Sequence, residues 1–285
     1  MASAKNFILI AAVMLLSLCS VHAEAASFSR IVSLYPGHTD NIIALGGASR
    51  LAAISENEED STLPKLPRLP LKTGAEAVMA LKPDLVLVRD LVSKQNPNLS
   101  KVLERAGIKV IVLNTPSWDE FDSYLRTLSA FIGVNPDEAS AKLSKQRKLL
   151  AMSAAKHKSK KRPSVLVEAT SKELHTCAPD SWAARLIELC GGINAASGAK
   201  PLRKGSAIAP WGLERTLKSA GKLDIYLVQN GPMNTAAISE VSKRPWYPAI
   251  KNVKTAVIPE YYLSRPSLSS LEKGGRELIK IFYGE

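Results

Sequence analysis

Short apolar runs alternate with helix-favouring segments along most of the chain, and this alternation restricts the fold more than any other feature. Leu85-Val-Leu-Val88 and Lys109-Val-Ile-Val-Leu113 have the composition of buried strands, and Gly107 ends the helical segment between them. After a first strand at Arg30-Ile-Val-Ser-Leu34, we expect Thr39 or Asp40 to cap the first helix. Such alternation is typical of a parallel sheet with helices on its faces, so the sequence predicts an α/β fold.

A long segment without Gly or Pro, residues 137–158, divides the chain and predicts a single helix. The alternation restarts at Ser164 and ends in a closing helix near 267–282. We therefore predict two Rossmann-like lobes with parallel sheets, joined by one long interlobe helix. The predicted units are a signal peptide at 1–25, an N-terminal α/β lobe at 28–135, the interlobe helix at 137–158, and a C-terminal α/β lobe with the closing helix at 160–285.

The two halves also share a weak pattern in which a glutamate begins a helix and an aspartate precedes the following strand. In the first half these residues are Glu76 and Asp84, and in the second they are Glu214 and Asp224. A chance match in an α/β protein gives the same pattern, so it is not by itself evidence of duplication.

The first residues have the features of a secretory signal, because Lys5 precedes an apolar run of about a dozen residues that small residues follow. This run is shorter than the roughly 20 residues of a membrane-spanning helix. We expect cleavage after Ala25 and release into the periplasm. Lipid anchoring through Cys19 is the less favoured alternative, because the bulky Leu18 precedes it.

The chain is basic, with a formal net charge of +12 that the loss of one Lys and one Glu with the leader leaves unchanged. Only one basic cluster occurs, at 157–162, and no zinc knuckle, basic zipper or RNA-binding signature accompanies it. The sequence therefore predicts no nucleic-acid partner. The positive charge is instead suited to an anionic ligand.

Two cysteines, Cys177 and Cys190, remain after removal of the leader. An oxidising compartment favours a disulfide between them. Two buried thiols on separate elements are the alternative.

Several motifs in order resemble the helical-backbone (class III) periplasmic binding proteins, which carry cobalamin, ferric siderophores or haem to ABC importers. The resemblance covers nearly the whole mature chain and includes the long helix. It implies a monomeric, non-enzymatic receptor without a cofactor, which binds a metal-bearing organic complex between its lobes and delivers it to a permease dimer. The motifs are Arg30–Pro36 with Thr39-Asp40, Ala75-Glu76 with Leu81–Val86, Leu103–Val110, Leu186–Asn194 and Ser264-Arg265-Pro266.

The same resemblance implies roles for individual residues. Glu76 and Glu214 match the carboxylates with which the family docks on permease arginines, although a carboxylate in the first turn of a helix is also stabilised by the helix dipole. Aromatic and arginine side chains on loops after strands are candidates to contact the ligand. These candidates are Tyr35, Arg89, Trp118, Trp211, Trp246, Tyr247, Tyr261, Tyr262 and Arg265. The basic charge and the cleft arginines favour an anionic ferric siderophore as this ligand, whereas the aromatic residues suit a corrinoid or haem equally well.

Two other functions are weighed against this one. Zinc- or manganese-binding relatives ligate the ion directly with several histidines and a carboxylate, but the mature chain has only His38, His157 and His175. An exported enzyme is disfavoured because the chain lacks the common nucleophile-elbow, phosphate-loop, zinc-protease and dinucleotide motifs.

Overall fold

The computed structural model describes residues 27–59, 63, 65–235 and 238–284, so the predicted leader and Cys19 lie outside the described residues. The N-terminal lobe contains a five-stranded parallel sheet in the order β3-β2-β1-β4-β5. Its central strands β1 and β4 are buried along their whole length, as expected where helices cover both faces. The strands are β1 (Ile31–Ser33), β2 (Leu51–Ser55), β3 (Arg68–Leu69), β4 (Leu85–Val88) and β5 (Lys109–Val112). The helices are α1 (Pro36–Ala44), α2 (Ala75–Met79), α3 (Asp90–Gln95), α4 (Pro97–Arg105) and α5 (Phe121–Phe131).

The C-terminal lobe has a four-stranded parallel sheet in the order β11-β10-β6-β8, and the antiparallel pair β7-β9 lies beside it. These parallel sheets and the two-lobed α/β organisation confirm the predicted fold class. The strands are β6 (Ser164–Glu168), β7 (Thr176–Cys177), β8 (Ile193–Asn194), β9 (Ile208–Ala209), β10 (Ile225–Asn230) and β11 (Lys254–Pro259). The helices are α7 (Trp182–Leu189), α8 (Leu213–Ser219), α9 (Ile238–Val241), α10 (Glu260–Leu263) and α11 (Gly275–Tyr283).

Helix α6 (Pro136–Ala155) lies between the two lobes and packs on α5 of the first and on α7 and α11 of the second. It begins with Pro136 at a position that requires no backbone donor, and the Asn135 side chain caps it by accepting from the Asp137 amide. The observed helix therefore starts one residue before, and ends three residues before, the predicted bounds of 137–158. No helix in the described residues is long and apolar enough to span a membrane.

The two lobes share one detail at the start of their sheets. The Asp84 carboxylate, just before β4, accepts a 2.7 Å hydrogen bond from the Ser29 amide next to β1. The Asp224 carboxylate, just before β10, accepts a 2.8 Å hydrogen bond from the Ser164 amide at the start of β6. The Glu–helix–Asp–strand pattern of the sequence thus corresponds to equivalent positions in the two sheets.

The first helix starts at a different residue from the one expected, whereas the closing helix lies within one residue of its predicted bounds of 267–282 but contains an irregular turn. Helix α1 begins at Pro36 with the extended Tyr35 as its N-cap, and the Thr39 hydroxyl donates to Ser33 Oγ instead of capping the helix. The closing segment is a π-helical turn, Ser270–Gly274, followed by α11. A Cβ on Gly274 would lie 2.0 Å from the Tyr262 carbonyl oxygen, so only glycine allows this approach between backbones.

The predicted disulfide is not formed, because Cys177 and Cys190 are both free and buried in the structure. Cys177 ends β7, whereas Cys190 follows α7 and its thiol donates to the Gly275 carbonyl at 3.5 Å. Burial raises the pKa of Cys177 to about 11 and that of Cys190 to about 12. The alternative of two buried thiols on separate elements is the correct one.

Candidate ligand cleft between the lobes

The loops at the carboxyl ends of the two parallel sheets meet across the lobe boundary. Glu59, four residues after β2, forms a 2.6 Å ion pair with Arg265, which follows β11 and α10. Nearby, the Asn41 amide of α1 donates to the Pro266 carbonyl at 3.1 Å and accepts from the Leu268 amide at 3.0 Å. Since open α/β sheets bind ligands outside the carboxyl ends of their strands, the candidate cleft lies at this junction.

Tyr35 and Arg89 form the N-terminal side of the cleft. Arg89 directly follows β4, and Tyr35 is the second residue after the neighbouring strand β1. The Arg89 guanidinium lies over the Tyr35 ring at 4.7 Å, and both side chains are half-buried. This arrangement holds a cation and an aromatic face together at the edge of the sheet. The structure therefore brings together two of the predicted ligand residues.

His38 lies beneath this pair and is fully buried. Its Nδ1 is 2.8 Å from the Tyr124 hydroxyl, and its ring contacts the Tyr35 ring edge-on at 5.0 Å between centroids. Burial lowers the His38 pKa to about 4, so the imidazole is neutral at pH 7. His38 thus supports Tyr35 from below.

Arg265 and Tyr261 lie on the C-terminal side, with the Arg265 guanidinium 5.9 Å from the Tyr261 ring centroid. The arginine charge is already balanced by Glu59. Burial raises the pKa of nearby Glu260, and it raises the pKa of Glu58, next to Glu59, to about 7. This side of the cleft therefore contains more carboxyl groups than the sequence analysis anticipated.

Sequence reasoning missed a buried network around Glu168, the last residue of β6. The Glu168 side chain has no exposed surface and accepts from both terminal nitrogens of Arg244, from the Tyr226 hydroxyl and from the Asn234 amide. Asn234 closes the turn after β10, and the Met233 amide of that turn donates to Glu260 Oε2 at 2.9 Å. Two carboxylates at the ends of β6 and β11 therefore fix one turn at the carboxyl end of the C-terminal sheet.

The fixed turn presents Met233, whose side chain is 45% exposed. A polarisable, apolar side chain in this position suits contact with a flat organic ring system. No pattern in the sequence indicated it. For the network around Glu168, the available sequence signal was a carboxylate at the end of an apolar run, Ser164-Val-Leu-Val-Glu168.

Trp118 lies at the boundary between lobes but is already enclosed by other side chains. Its ring is 4.7 Å from that of Trp182 on α7, and the Arg147 guanidinium of α6 lies over it at 4.2 Å. Trp182 itself is buried. Trp118 therefore connects the lobes to the interlobe helix. A ligand could contact only the part of its ring that Trp182 and Arg147 leave uncovered.

Four other predicted ligand residues serve mainly as packing. Trp211, Trp246 and Tyr247 are half-buried against one apolar cluster of the C-terminal lobe, and Tyr262 packs against the main core. The Tyr247 hydroxyl lies 3.4 Å from Thr255 near the start of β11, which is the end of the strand remote from the cleft. An aromatic residue on a loop after a strand can either pack on its own lobe or face a ligand, and sequence alone did not separate these cases.

The predicted docking carboxylates, Glu76 and Glu214, are both exposed in the first turns of α2 and α8. Glu214 forms a 2.6 Å ion pair with Lys218 on the same helix. In α/β alternation these helices run against the strands that follow them, so their first turns lie at the carboxyl sides of the two sheets. One carboxylate on each lobe thus lies on the same side of the molecule as the cleft.

The three histidines of the zinc hypothesis occupy different environments. His38 is enclosed beside Tyr124, the His157 ring stacks on Tyr283 with centroids 4.2 Å apart, and His175 lies 3.2 Å from the exposed carboxylate of Glu173. Within the described ranges, no group of three or more His, Cys, Asp or Glu side chains is arranged to hold a metal ion.

Comparisons with known proteins agree with this architecture. Residues 31–262 match the family model described as periplasmic binding protein. The vitamin B12-binding protein of Vibrio vulnificus (strain YJ016) is 26% identical over 260 residues, which cover 90% of this chain and 91% of that protein.

Two solved structures share the fold at low sequence identity. A periplasmic heme-binding protein from Pseudomonas aeruginosa is 21% identical with a TM-score of 0.69, covering 90% of this chain and 94% of that one. A periplasmic solute-binding protein from Staphylococcus epidermidis is 19% identical with a TM-score of 0.72, covering 90% of this chain and 100% of that one. With the family model matched along both lobes, the chain belongs to the periplasmic binding protein family.

Proposed function

We propose that the protein is the substrate-binding component of an ABC importer, and that it captures a metal-bearing organic complex between its lobes and performs no chemistry on it. The observation that carries the proposal is the Glu59–Arg265 contact, which joins the carboxyl-end loops of two parallel sheets at one cleft. Members of this family are non-enzymatic binding components of transport systems, in agreement with that role.

Among such complexes we propose a corrinoid first, ahead of haem and ferric siderophores. The charge argument for an anionic siderophore relied on free cleft arginines, but Arg265 is paired with Glu59, and Glu58 and Glu260 lie nearby. Arg89 therefore remains as the principal cation. The relative from Vibrio vulnificus, matched over nine-tenths of both chains, is named for vitamin B12.

A thermal-shift screen of the mature protein with cobalamin, cobinamide, haem and several ferric siderophores tests the ligand. A compound present at about 100 times its dissociation constant stabilises the native state by about 2.7 kcal/mol. We expect a corrinoid to raise the melting temperature and to remain chemically unchanged. No stabilisation by any of these compounds, or conversion of one into a product, would contradict the proposal.

Calorimetric titration of variants then locates the site. We expect Tyr35→Ala with Arg89→Ala to weaken ligand binding about five- to thirtyfold, since an aromatic face and its cation each contribute about 0.5–1 kcal/mol. Lys101→Ala on the exposed face of α4 is the matched control and should bind normally. Equal affinities of all three proteins would place the ligand elsewhere.

Transport is tested by reversing the charges of Glu76 and Glu214, which we propose as permease-docking residues. Because both side chains are exposed and lie on helices outside the cleft, Glu76→Arg with Glu214→Arg should leave the dissociation constant unchanged. Uptake by cells carrying the cognate permease should fall strongly, since repulsion replaces attraction at the interface. The control reverses Glu104 and Glu188, one exposed carboxylate on each lobe, and should support normal uptake.

A further inference from the structure

We propose that the outward face of the interlobe helix α6 binds reversibly to an anionic phospholipid surface. Six exposed side chains form this surface, which we call the lysine face. At 100° per residue their positions fall on one side of the helix, and at 1.5 Å per residue the surface from Lys142 to Lys156 is about 21 Å long. The lysine face consists of Lys142, Lys145, Lys148, Leu149, Met152 and Lys156.

The charge on the lysine face is of one sign. The acidic residues of α6, Asp137 and Glu138, are both in its first turn. Lys142 donates a hydrogen bond to the Ala44 carbonyl. Among the ion pairs of the described residues, none involves a lysine of this face, whereas other exposed helices pair their charges, as Lys218 does with Glu214. A solvated helix face is ordinarily stabilised by Glu–Lys pairs one turn apart, and such pairs are missing from the described part of this face.

Two large apolar side chains protrude among the lysines. Leu149 is 55% exposed and Met152 is 56% exposed, and they lie three residues apart. Each removes apolar surface from water if it inserts at the boundary between head groups and acyl chains. Lysines beside protruding apolar side chains are the combination found on peripheral membrane helices.

A groove of about 610 Å³ runs beside the lysine face, between α6 and the C-terminal helix α11. Leu150 and Ile279 are apolar residues of its wall, and Arg276 and Lys280 add two cations from the second helix. The acidic residue in its lining, Glu272, is paired with Arg276 at 2.8 Å. The basic, partly apolar character therefore extends from one helix to its neighbour.

A lipid surface fits these features better than a nucleic acid. Two residues of the most obvious basic cluster of the sequence, 157–162, make contacts within the protein: Lys161 pairs with Asp224 at 2.8 Å, and Arg162 donates to the Gly192 carbonyl at 2.7 Å. The cations of the lysine face lie along one side of α6, with Leu149 and Met152 exposed among them. Phosphates of a nucleic acid match the lysines but leave these apolar side chains exposed to water.

The test is cosedimentation of the mature full-length protein with vesicles of phosphatidylcholine alone or mixed with phosphatidylglycerol, at low and at high salt. Each lysine near an anionic surface contributes about fivefold to partitioning. We expect binding to the phosphatidylglycerol vesicles that weakens with salt. The variant Lys145→Glu, Lys148→Glu and Lys156→Glu should reduce it by about 100-fold or more.

A matched control separates the face from net charge. Lys101→Glu, Lys200→Glu and Lys243→Glu change the charge equally at exposed sites elsewhere, and should reduce binding far less. Leu149→Ser with Met152→Ser should lower the binding that remains at high salt. Circular dichroism and ligand titration verify that each variant is folded.

Three results would overturn the proposal: no binding of the wild-type protein to phosphatidylglycerol vesicles, equal loss in the two charge-reversal variants, or binding that does not depend on the anionic lipid. Retention of an acidic protein or of RNA on the lysine face, without vesicle binding, would likewise reject a lipid surface as its partner. None of these residues belongs to the cleft, so the outcome does not depend on the proposed ligand.

Discussion

Replacing Glu168 by alanine should destabilise the C-terminal lobe more than any exposed charge substitution does. The carboxylate is inaccessible to solvent and accepts hydrogen bonds from three residues, Arg244, Tyr226 and Asn234. The Arg244 side chain is only 17% exposed, so water cannot fully solvate its guanidinium once the carboxylate is removed. The burial of Arg244 disfavours its charged form, but the bond to Glu168 outweighs this effect and raises the Arg244 pKa.

The expected magnitude follows from these contacts. Removal of one partner of a buried ion pair costs about 3–5 kcal/mol, because the remaining charge stays buried and unpaired. The accompanying loss of acceptors for Tyr226 and Asn234 acts in the same direction. We expect Glu168→Ala to lower the free energy of unfolding by about 4 kcal/mol. Glu168→Gln, which keeps the shape and one acceptor oxygen, should cost about half as much.

Urea unfolding measures these values, and a double-mutant cycle assigns them to the pair. Arg244→Ala removes the cation, and the cycle of the two alanine substitutions should give a coupling energy of about 2–3 kcal/mol. A control with Glu104→Ala, an exposed carboxylate on α4, should change stability by less than about 0.5 kcal/mol. Additive effects of the two alanine substitutions, or a loss below about 1 kcal/mol for Glu168→Ala, would refute the reasoning.

Three further predictions concern other buried groups. Cys177 and Cys190 should both react with a thiol reagent only after denaturation, because burial raises their pKa values to about 11 and about 12. The intact mass should be identical with and without reductant, and a native mass lower by two hydrogens would reveal a disulfide. Glu58→Gln should stabilise the protein at pH 8 by up to about 3 kcal/mol and change its stability little at pH 5. The reason is that the Glu58 pKa is about 7 in the folded state, so the wild type loses stability as pH rises from about 4.5 through 7. Urea unfolding at both pH values tests this, and an equal effect at both would contradict it. Gly274→Ala should lower the melting temperature by several degrees, since the new Cβ would lie 2.0 Å from a backbone oxygen. Gly198→Ala is the control and should change the melting temperature little, because the space around Gly198 is open. Equal melting temperatures of the two variants would contradict the assigned contact.

The regular parts of the fold were predictable because buried parallel strands appear as short apolar runs. The strand at 85–88 was predicted with its observed bounds, and Gly107, which was predicted to end the following helix, comes directly after the C-cap residue of α4. The two-residue strands β7, β8 and β9 were missed, since two residues show no periodicity. The start of α1 was misplaced because Tyr35 provides no side-chain cap, although Pro36 at the first helical position was available as a signal.

The cleft was less predictable than the fold. Tyr35 and Arg89 were identified because each follows a strand closely, and chain position alone places them at the carboxyl edge of the sheet. The partners of Glu168 are 58 to 76 residues away in sequence, so no local pattern connects them. Trp246 and Tyr247 also follow a loop, but they pack against the lobe itself, and only the three-dimensional contacts distinguish that role from ligand binding.

The charges of the cleft bear on the choice of ligand that we propose. Arg265 and Glu59 neutralise each other across the lobe boundary, so a ligand that enters between Tyr35 and Tyr261 meets a balanced pair instead of a free cation. A strongly anionic complex would have to break this pair or rely on Arg89 alone, while Glu58 and Glu260 nearby oppose it once they are ionised. A neutral or zwitterionic complex leaves the pair intact and gains from contact with the two tyrosine rings. We therefore infer that apolar and aromatic contact, more than net charge, selects the ligand of this cleft. A corrinoid provides such contact better than a polyanionic siderophore does.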